Sequence, residues 1–193
     1  MSIKNRGFGA GGKNTTLNGL SFEIKTSIEK KLLESNYNKI VINNKQKYGY
    51  YLEYKEENKQ IIFLLQSGFK SYFKKKYNIN IYKHPDEAFI IYNNDNIYIK
   101  IIEKKNQNVE GSVEDKLKTG LFNKKEYERM LKSLKNINIS YSFCVSKFLQ
   151  NKFESNIIKY KNMKDILDED NIKLFYGEEM NYNDNLLDWI NKN

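Results

Sequence analysis

The stretch PDEAFIIYNNDNIYIKIIEKK, residues 85–105, contains two apolar runs at 88–92 and 97–102, separated by Asn93-Asn94-Asp95-Asn96. β-Branched and aromatic residues dominate both runs. Four turn-forming residues between two such runs predict a β-hairpin. A four-residue loop would place Tyr92 opposite Ile97, and the same register would place Asp86 opposite Glu103.

This register predicts a metal site at the open end of the hairpin. Directly opposed residues lie about 5 Å apart on one sheet face, and two carboxylates at that distance repel each other unless a cation lies between them. The two-residue period puts Lys105 on the same face as Glu103 and turns Lys104 to the other face. Carboxylate oxygens suit Mg²⁺, for which Mn²⁺ can substitute. Lys105 would orient or deprotonate an attacking water.

The rest of the chain predicts alternating helices and strands, and hence a single α/β domain over residues 1–193. Residues 1–18 are expected to form a Gly-rich N-terminal arm, and 161–193 an acidic C-terminal segment of the same domain. Helices are predicted at 20–35, 112–119, 124–134, 147–160 and 185–190, and strands at 39–42, 47–54, 139–145 and 172–176. Residues 60–76 favour a helix, with a strand at 61–65 as the alternative.

Charge indicates a polyanionic partner. The 193 residues contain 33 Lys and Arg against 24 Asp and Glu, a net charge of +9. The surplus is uneven, since residues 1–160 carry 29 basic and 16 acidic side chains, whereas 161–193 carry 4 and 8. Only two of the basic residues are arginines, so an AT-rich genome explains part of the lysine count. A basic body of this kind is typical of nucleic-acid-binding proteins.

Several functional classes are excluded by composition. No apolar run approaches the roughly 20 residues of a membrane span, and the N-terminus lacks the apolar core of a secretory signal, which predicts a cytoplasmic protein without a membrane partner. The single cysteine, Cys144, cannot form a disulfide framework. GFGAGGKN at 7–14 nearly fits a phosphate-binding loop. However, Asn14 replaces the required Ser or Thr and no strand precedes the loop, so no nucleotide cofactor is expected.

Pro85-Asp86 followed by Glu103-Lys104-Lys105 resembles the signature of the PD-(D/E)XK nucleases. The surrounding segments PDEAF, EKKNQNVEGSVEDKL and GAGGKNTTLNGLSFE are similar to type II restriction-endonuclease-like proteins of bacteria and large DNA viruses. The similarity covers residues 7–120 and the LFYG segment at 174–177. Residues 39–77 do not align with the family.

The resemblance implies a restriction-endonuclease-like core, in which a mixed central sheet is flanked by helices. It implies that Asp86, Glu103 and Lys105 are catalytic, that Asp86 and Glu103 bind Mg²⁺, and that Glu23 of the first helix is a further metal ligand. The implied activity is hydrolysis of double-stranded DNA at a specific, palindromic site by a homodimer, leaving 5′-phosphate ends. Candidate DNA contacts are Arg6, Lys13, Asn14, Gln107 and Ser112.

Three alternatives remain open from the sequence. The chain could be a structure-specific nuclease that repairs DNA or resolves junctions. It could also be a non-catalytic DNA-binding module on the same fold, although the intact Asp, Glu and Lys set argues against this. RNA is a further possible substrate, because composition does not distinguish the two polyanions. The recognition sequence is not encoded in any pattern of the chain, since base-reading side chains depend on docking.

Overall fold

The structure of the chain, a computed structural model, describes residues 13–108 and 113–192. One seven-stranded sheet runs through these residues, and its strands lie side by side in their order along the chain. They are β1 (Asn38–Val41), β2 (Tyr50–Lys55), β3 (Lys59–Leu65), β4 (Glu87–Asn93), β5 (Asn96–Lys105), β6 (Ile137–Val145) and β7 (Ile172–Tyr176).

Helices flank the sheet on both faces, so the described residues form a single α/β domain, as predicted. The helices are α1 (Lys13–Lys25), α2 (Glu29–Leu33), α3 (Gln66–Tyr77), α4 (Val113–Leu117), α5 (Gly120–Met130), α6 (Lys147–Phe153), α7 (Ile158–Glu169) and α8 (Tyr182–Asn191). Strands β1 to β5 pair antiparallel, whereas β5, β6 and β7 pair parallel. The parallel pairs are connected through helices, as parallel strands require.

The β4–β5 hairpin confirms the predicted register. Tyr92 pairs with Ile97, and pairing continues to Asn93 and Asn96. The loop is therefore two residues long instead of the predicted four, because the ladder extends one pair further into the Asn-rich turn. Asn94 in this loop has a φ of 52°, a conformation that asparagine tolerates better than most residues.

The two sheet faces pack against different helices, and this fixes where each β5 side chain points. Ile99 and Ile101 belong to a core cluster with residues of α3, α5 and α7, whereas Ile102 belongs to a second cluster with residues of α1, α2 and α8. By alternation, Glu103 and Lys105 lie on the α3/α5 face. Lys104 lies on the α1/α8 face, as predicted.

The N-terminal helix differs from its prediction at both ends. Instead of one helix over 20–35, α1 begins at Lys13, inside the predicted arm, and ends at Lys25, and α2 begins at Glu29. The buried Thr26 hydroxyl donates to the Phe22 carbonyl at 2.7 Å. The Thr26 backbone amide donates to the same carbonyl, and a hydroxyl that bonds four residues back in this way often bends a helix and weakens its continuation.

The ambiguous segment at 60–76 contains both predicted elements in succession. Residues 59–65 form β3, a fully buried strand of the central sheet, and α3 begins directly at Gln66. A strand that is covered on both faces has a continuous run of apolar residues in its sequence. The periodicity of apolar residues does not distinguish such a run from a buried helix. The helix predicted at 147–160 is likewise divided, because residues 154–157 separate α6 from α7.

The strand predicted at 172–176 is found with those bounds as β7, and the remaining predicted strands and helices are found with shifted ends. In the part of the chain that the structure describes, no helix is both long and apolar enough to cross a membrane. Arg6, Ser112 and residues 1–12 of the predicted arm lie outside the described residues.

Candidate functional site

Asp86 lies immediately before β4, at the end of the hairpin opposite its turn. Because Glu87 pairs with Ile102, the same register brings Asp86 beside Glu103. The Asp86 carboxylate accepts a hydrogen bond from the Lys104 backbone amide, with Oδ2 2.6 Å from the nitrogen. This bond fixes the carboxylate against β5. In an extended strand the amide and the carbonyl of one residue point to the same side, so the Lys104 carbonyl also faces Asp86.

Glu103 and Lys105 form an ion pair on the α3/α5 face. Lys105 Nζ lies 3.0 Å from Glu103 Oε2, and their side chains are only 19% and 13% exposed. Three apolar residues precede them on this face of β5, Ile97, Ile99 and Ile101. Two charged residues therefore follow directly after three apolar ones on the same face of this core strand. The structure brings the two charged side chains together with Asp86.

The electrostatics of this group leave it with excess negative charge. Burial raises the pKa of Glu103, and the nearby Asp86 carboxylate raises it further, against the opposing effect of Lys105. Burial alone would lower the pKa of Lys105, but the Glu103 and Asp86 carboxylates outweigh burial and raise it. Lys105 is therefore a protonated donor in this arrangement. A second cation, in addition to the Lys105 ammonium, would reduce the repulsion between the Asp86 and Glu103 carboxylates.

Two buried tyrosines pack near Glu103. Burial raises the pKa of both Tyr127 and Tyr141, and the Glu103 charge adds to the shift in each. Asn123 donates to the Tyr141 hydroxyl, with its Nδ2 3.2 Å away. The Tyr127 hydroxyl is buried and has no hydrogen-bond partner among the described residues. A buried phenol without a partner next to a carboxylate is unusual, and it gives the site an additional donor.

Glu23 of α1 approaches the site from the side of a cleft. This cleft has a volume of about 320 Å³, and Glu23, Gln66, Asp86 and Glu87 are among its lining residues. Gln66 Nε2 donates to Glu23 Oε2 at 3.1 Å. Burial raises the pKa of Glu23, and the Asp86 charge acts in the same direction. The predicted third acid thus lies within electrostatic reach of Asp86 and Glu103.

Lys104 links α1 to the central strands. Its ammonium donates to Glu87 Oε1 at 2.7 Å and to the Glu23 backbone carbonyl at 3.0 Å. Both side chains of the Lys104–Glu87 pair are almost fully buried. The ion pair therefore holds the helix that carries Glu23 against the end of β5, on the opposite face from Lys105.

Gln107 follows β5 and is held against the end of β6. The Ser146 hydroxyl accepts a hydrogen bond from the Gln107 backbone amide at 3.1 Å and donates one to the Gln107 backbone carbonyl at 2.7 Å. The Gln107 side chain is buried, with 6% of its surface exposed, so a direct contact with DNA would require it to be uncovered. Lys13 and Asn14 lie in α1, but their side chains are outside the described residues.

The donor set was tested for its fit to Mg²⁺. Among the described residues, no three or more His, Cys, Asp or Glu side chains come together as a group that could hold a metal ion. Mg²⁺ in proteins usually takes one or two carboxylates and completes its shell with waters and substrate phosphates. Asp86 and Glu103 fit that smaller requirement, and the Lys104 carbonyl on the Asp86 side is a third oxygen. Glu23 as a metal ligand stays a prediction.

Sequence reasoning missed three members of the site, namely Gln66, Glu87 and Ser146. Gln66 could have been noticed in the sequence, because it is the polar residue that ends the unbroken apolar run at 61–65. Glu87 stood next to Asp86 and gave no sign that it would be buried. Ser146 followed the apolar β6 as an ordinary helix-start residue.

Comparison of the chain with protein-family models, with curated protein sequences and with solved structures found no match in any of the three.

Proposed function

We propose that the chain is a Mg²⁺-dependent endonuclease of the PD-(D/E)XK restriction type, which hydrolyses phosphodiester bonds of double-stranded DNA. The observation that carries the proposal is the meeting of Asp86 with the buried Glu103–Lys105 pair at one end of the β4–β5 hairpin. The family resemblance implied these residues on neighbouring core strands, with a further acid on the first helix. The central position of β4 and β5, and that of Glu23 on α1, support it.

Asp86 and Glu103 would hold Mg²⁺, with the Lys104 carbonyl as a further oxygen ligand. When bound, the ion would neutralise charge on the scissile phosphate and favour attack by water. Lys105 would orient that water by donating a hydrogen bond, because its ammonium lies beside Glu103. The water oxygen bonds to phosphorus and its proton passes to solvent, while the bond from phosphorus to the 3′ oxygen breaks and that oxygen takes a proton from solvent. The products are a 5′-phosphate and a 3′-hydroxyl.

Plasmid cleavage in Mg²⁺ tests the assignment. Asp86→Asn and Lys105→Met are expected to lower the cleavage rate by about 100-fold or more, the usual contribution of such groups, while duplex binding in Ca²⁺ changes little. Asp115→Asn and Lys118→Met are matched controls, because Asp115 of α4 and Lys118, the residue after that helix, form an exposed ion pair. Cleavage at the wild-type rate by Asp86→Asn or by Lys105→Met would reject the assignment.

Digestion of a genome-sized DNA, followed by sequencing of the cut ends, tests specificity. A restriction enzyme gives discrete ends that share one sequence, and a palindromic sequence would support a homodimer. Preference for branched over linear duplex would instead indicate a structure-specific nuclease. Binding without any cleavage in Mg²⁺ or Mn²⁺ would indicate a non-catalytic DNA-binding module.

A further inference from the structure

A groove lies beside α3, between this helix, the β1–β2 loop and the chain that leads to Asp86. We call it the α3 groove; its volume is about 530 Å³. Three lysines line it together with uncharged polar residues, and no acidic side chain is among its lining residues. Its polar lining consists of Lys70, Lys74, Lys75, Asn43, Gln46, Ser71 and Asn80.

Two of the three lysines of the α3 groove are held by neutral acceptors. Lys70 Nζ donates to the Tyr82 carbonyl at 2.9 Å, and Lys74 Nζ donates to Asn78 Oδ1 at 2.8 Å. In the described part of the chain, none of the three groove lysines takes part in an ion pair. Their positive charges are therefore oriented but not compensated, which favours an anionic partner.

The same helix connects this groove with the candidate active site. Gln66 begins α3 and hydrogen-bonds Glu23, and Lys70 and Lys74 follow it at intervals of four residues. Such positions lie on one face of a helix, about 6 Å apart along its axis. Lys70 also fixes the Tyr82 carbonyl, four residues before Asp86. Residues of the same helix, α3, thus line both the α3 groove and the cleft that contains Glu23 and Asp86.

We infer that the α3 groove binds the phosphate backbone of double-stranded DNA beside the scissile bond. This inference rests on the proposed function and names the surface that holds its substrate. The distance from Gln66 to Lys74, roughly 12 Å, spans about three phosphates of one strand. Lysine ammoniums bind phosphates as point charges, and side chains such as Asn43 and Gln46 donate to phosphate oxygens without reading sequence.

The neighbouring Lys76 shows that not every lysine of the KKK run belongs to this surface. Lys76 Nζ donates to the Tyr72 hydroxyl at 3.0 Å and lies 3.9 Å from the centre of the Tyr92 ring. It therefore points toward a tyrosine cluster and away from the groove. The structure divides the run 74–76 into two groove residues and one packing residue, a division that the sequence alone does not make.

The test replaces the three groove lysines together, as Lys70→Gln/Lys74→Gln/Lys75→Gln. Binding of a short fluorescein-labelled DNA duplex is measured by anisotropy, without divalent cations, at KCl concentrations from about 50 to 200 mM. Each lost phosphate contact lowers the slope of log affinity against log salt by about 1, so the triple variant is expected to lose about 2 to 3. Its affinity at the lower salt concentrations should fall at least about tenfold.

Two further variants make the result specific. Lys161→Gln/Lys164→Gln/Lys173→Gln removes the same charge from exposed positions on α7 and β7 and should leave the slope near the wild-type value. Replacement of the three groove lysines by arginine keeps the charge and should restore binding. An unchanged slope in the groove variant, an equal loss in the control, or wild-type failure to bind duplex DNA would overturn the inference. Loss of single-stranded RNA binding with duplex binding intact would also overturn it.

Failure of this inference and failure of the proposed function give different results. If the wild type binds duplex DNA through the groove but never cuts it, the groove stands and the nuclease assignment fails. If the groove variant cuts plasmid DNA with wild-type salt dependence, the nuclease assignment stands and the groove fails.

Discussion

At the scale of single residues, the Lys104–Glu87 ion pair is the most buried ion pair among the residues that the structure describes. Its two side chains are 2% and 1% exposed, and Glu87 Oε2 has no hydrogen-bond partner among the described residues. Desolvation of both charges is costly, so the attraction between them does little more than offset that cost. The function of the pair is positional, because Lys104 also binds the carbonyl of Glu23.

Removing one member of this pair should destabilise the protein far more than removing both. Lys104→Met leaves the Glu87 charge buried and unpaired, which typically costs about 3–5 kcal/mol. The double variant Lys104→Met/Glu87→Gln has no buried charge and should recover most of that loss. The free energy of unfolding in urea measures both. Equal losses in the single and double variants would contradict this account.

At the scale of secondary-structure elements, the junction between β3 and α3 is tight. Leu65 ends the strand, Gln66 begins the helix, and Gln66 has a φ of 32°. Residues other than glycine rarely adopt a positive φ, because this backbone conformation is strained for them. Strained residues of this kind are common at functional sites. The strained backbone is what turns the Gln66 side chain toward Glu23.

Substitutions at Gln66 should therefore reverse the usual helix preference for alanine over glycine. Gln66→Gly is expected to be more stable than Gln66→Ala by about 1 kcal/mol, because glycine adopts positive φ without strain. At the exposed α7 position Lys164, alanine should instead be more stable than glycine by about 1 kcal/mol. Thermal unfolding of the four variants measures the difference. The same order at both positions would refute the strain argument.

The β4–β5 turn is the element that sets the register of the candidate site. Asn94→Val should destabilise the protein by about 1–2 kcal/mol, because a β-branched residue is disfavoured at a φ of 52°. Asn94→Gly should retain or slightly raise stability. Chemical denaturation measures both changes. Asn93→Val serves as the control, since Asn93 lies in the ladder, and an equal loss there would show that the turn conformation is not the cause.

At the scale of the whole molecule, the two clusters of the core bury many ionisable but uncharged groups. Burial raises the pKa of Tyr37 to about 12 and that of Cys144 to about 12, and it raises the pKa values of the buried Tyr72 and Tyr182. These groups stay protonated in the folded state at pH values where the unfolded chain has lost their protons. Folding stability must therefore fall as the pH rises from about 9 through 12.

Alkaline titration should show this coupling directly. Exposed phenols such as Tyr82 should ionise first with the fold intact, and the rest of the tyrosinate absorbance is expected to rise in one cooperative step that coincides with loss of helical circular dichroism, because the buried phenols ionise only when the core opens. Cys144 should react with a thiol reagent at the rate of global unfolding, since its side chain is fully buried. Gradual ionisation of every tyrosine with the fold intact, or fast Cys144 labelling at neutral pH, would contradict the assigned burial.

Features of the fold and of the candidate site that depend on residues close together in the chain could be predicted from the sequence, and features that depend on distant residues could not. The β4–β5 register and the shared face of Glu103 and Lys105 depend on a local turn and on two-residue alternation, both set by neighbouring residues. The helix break at Thr26 and the division of 60–76 into β3 and α3 depend on side-chain bonding and on burial of both strand faces, which local patterns do not specify.

The sequence by itself determined that the chain is one α/β domain and that Asp86 meets Glu103 and Lys105 at the end of one hairpin. Only the tertiary structure decided that Gln66 binds Glu23, 43 residues away, and that Lys104 pairs with Glu87. It also separated Lys74 and Lys75 from Lys76. The physical reason is that these contacts depend on which helix packs against which face of the sheet. That choice is made by the burial of the whole core and not by any short stretch of the chain.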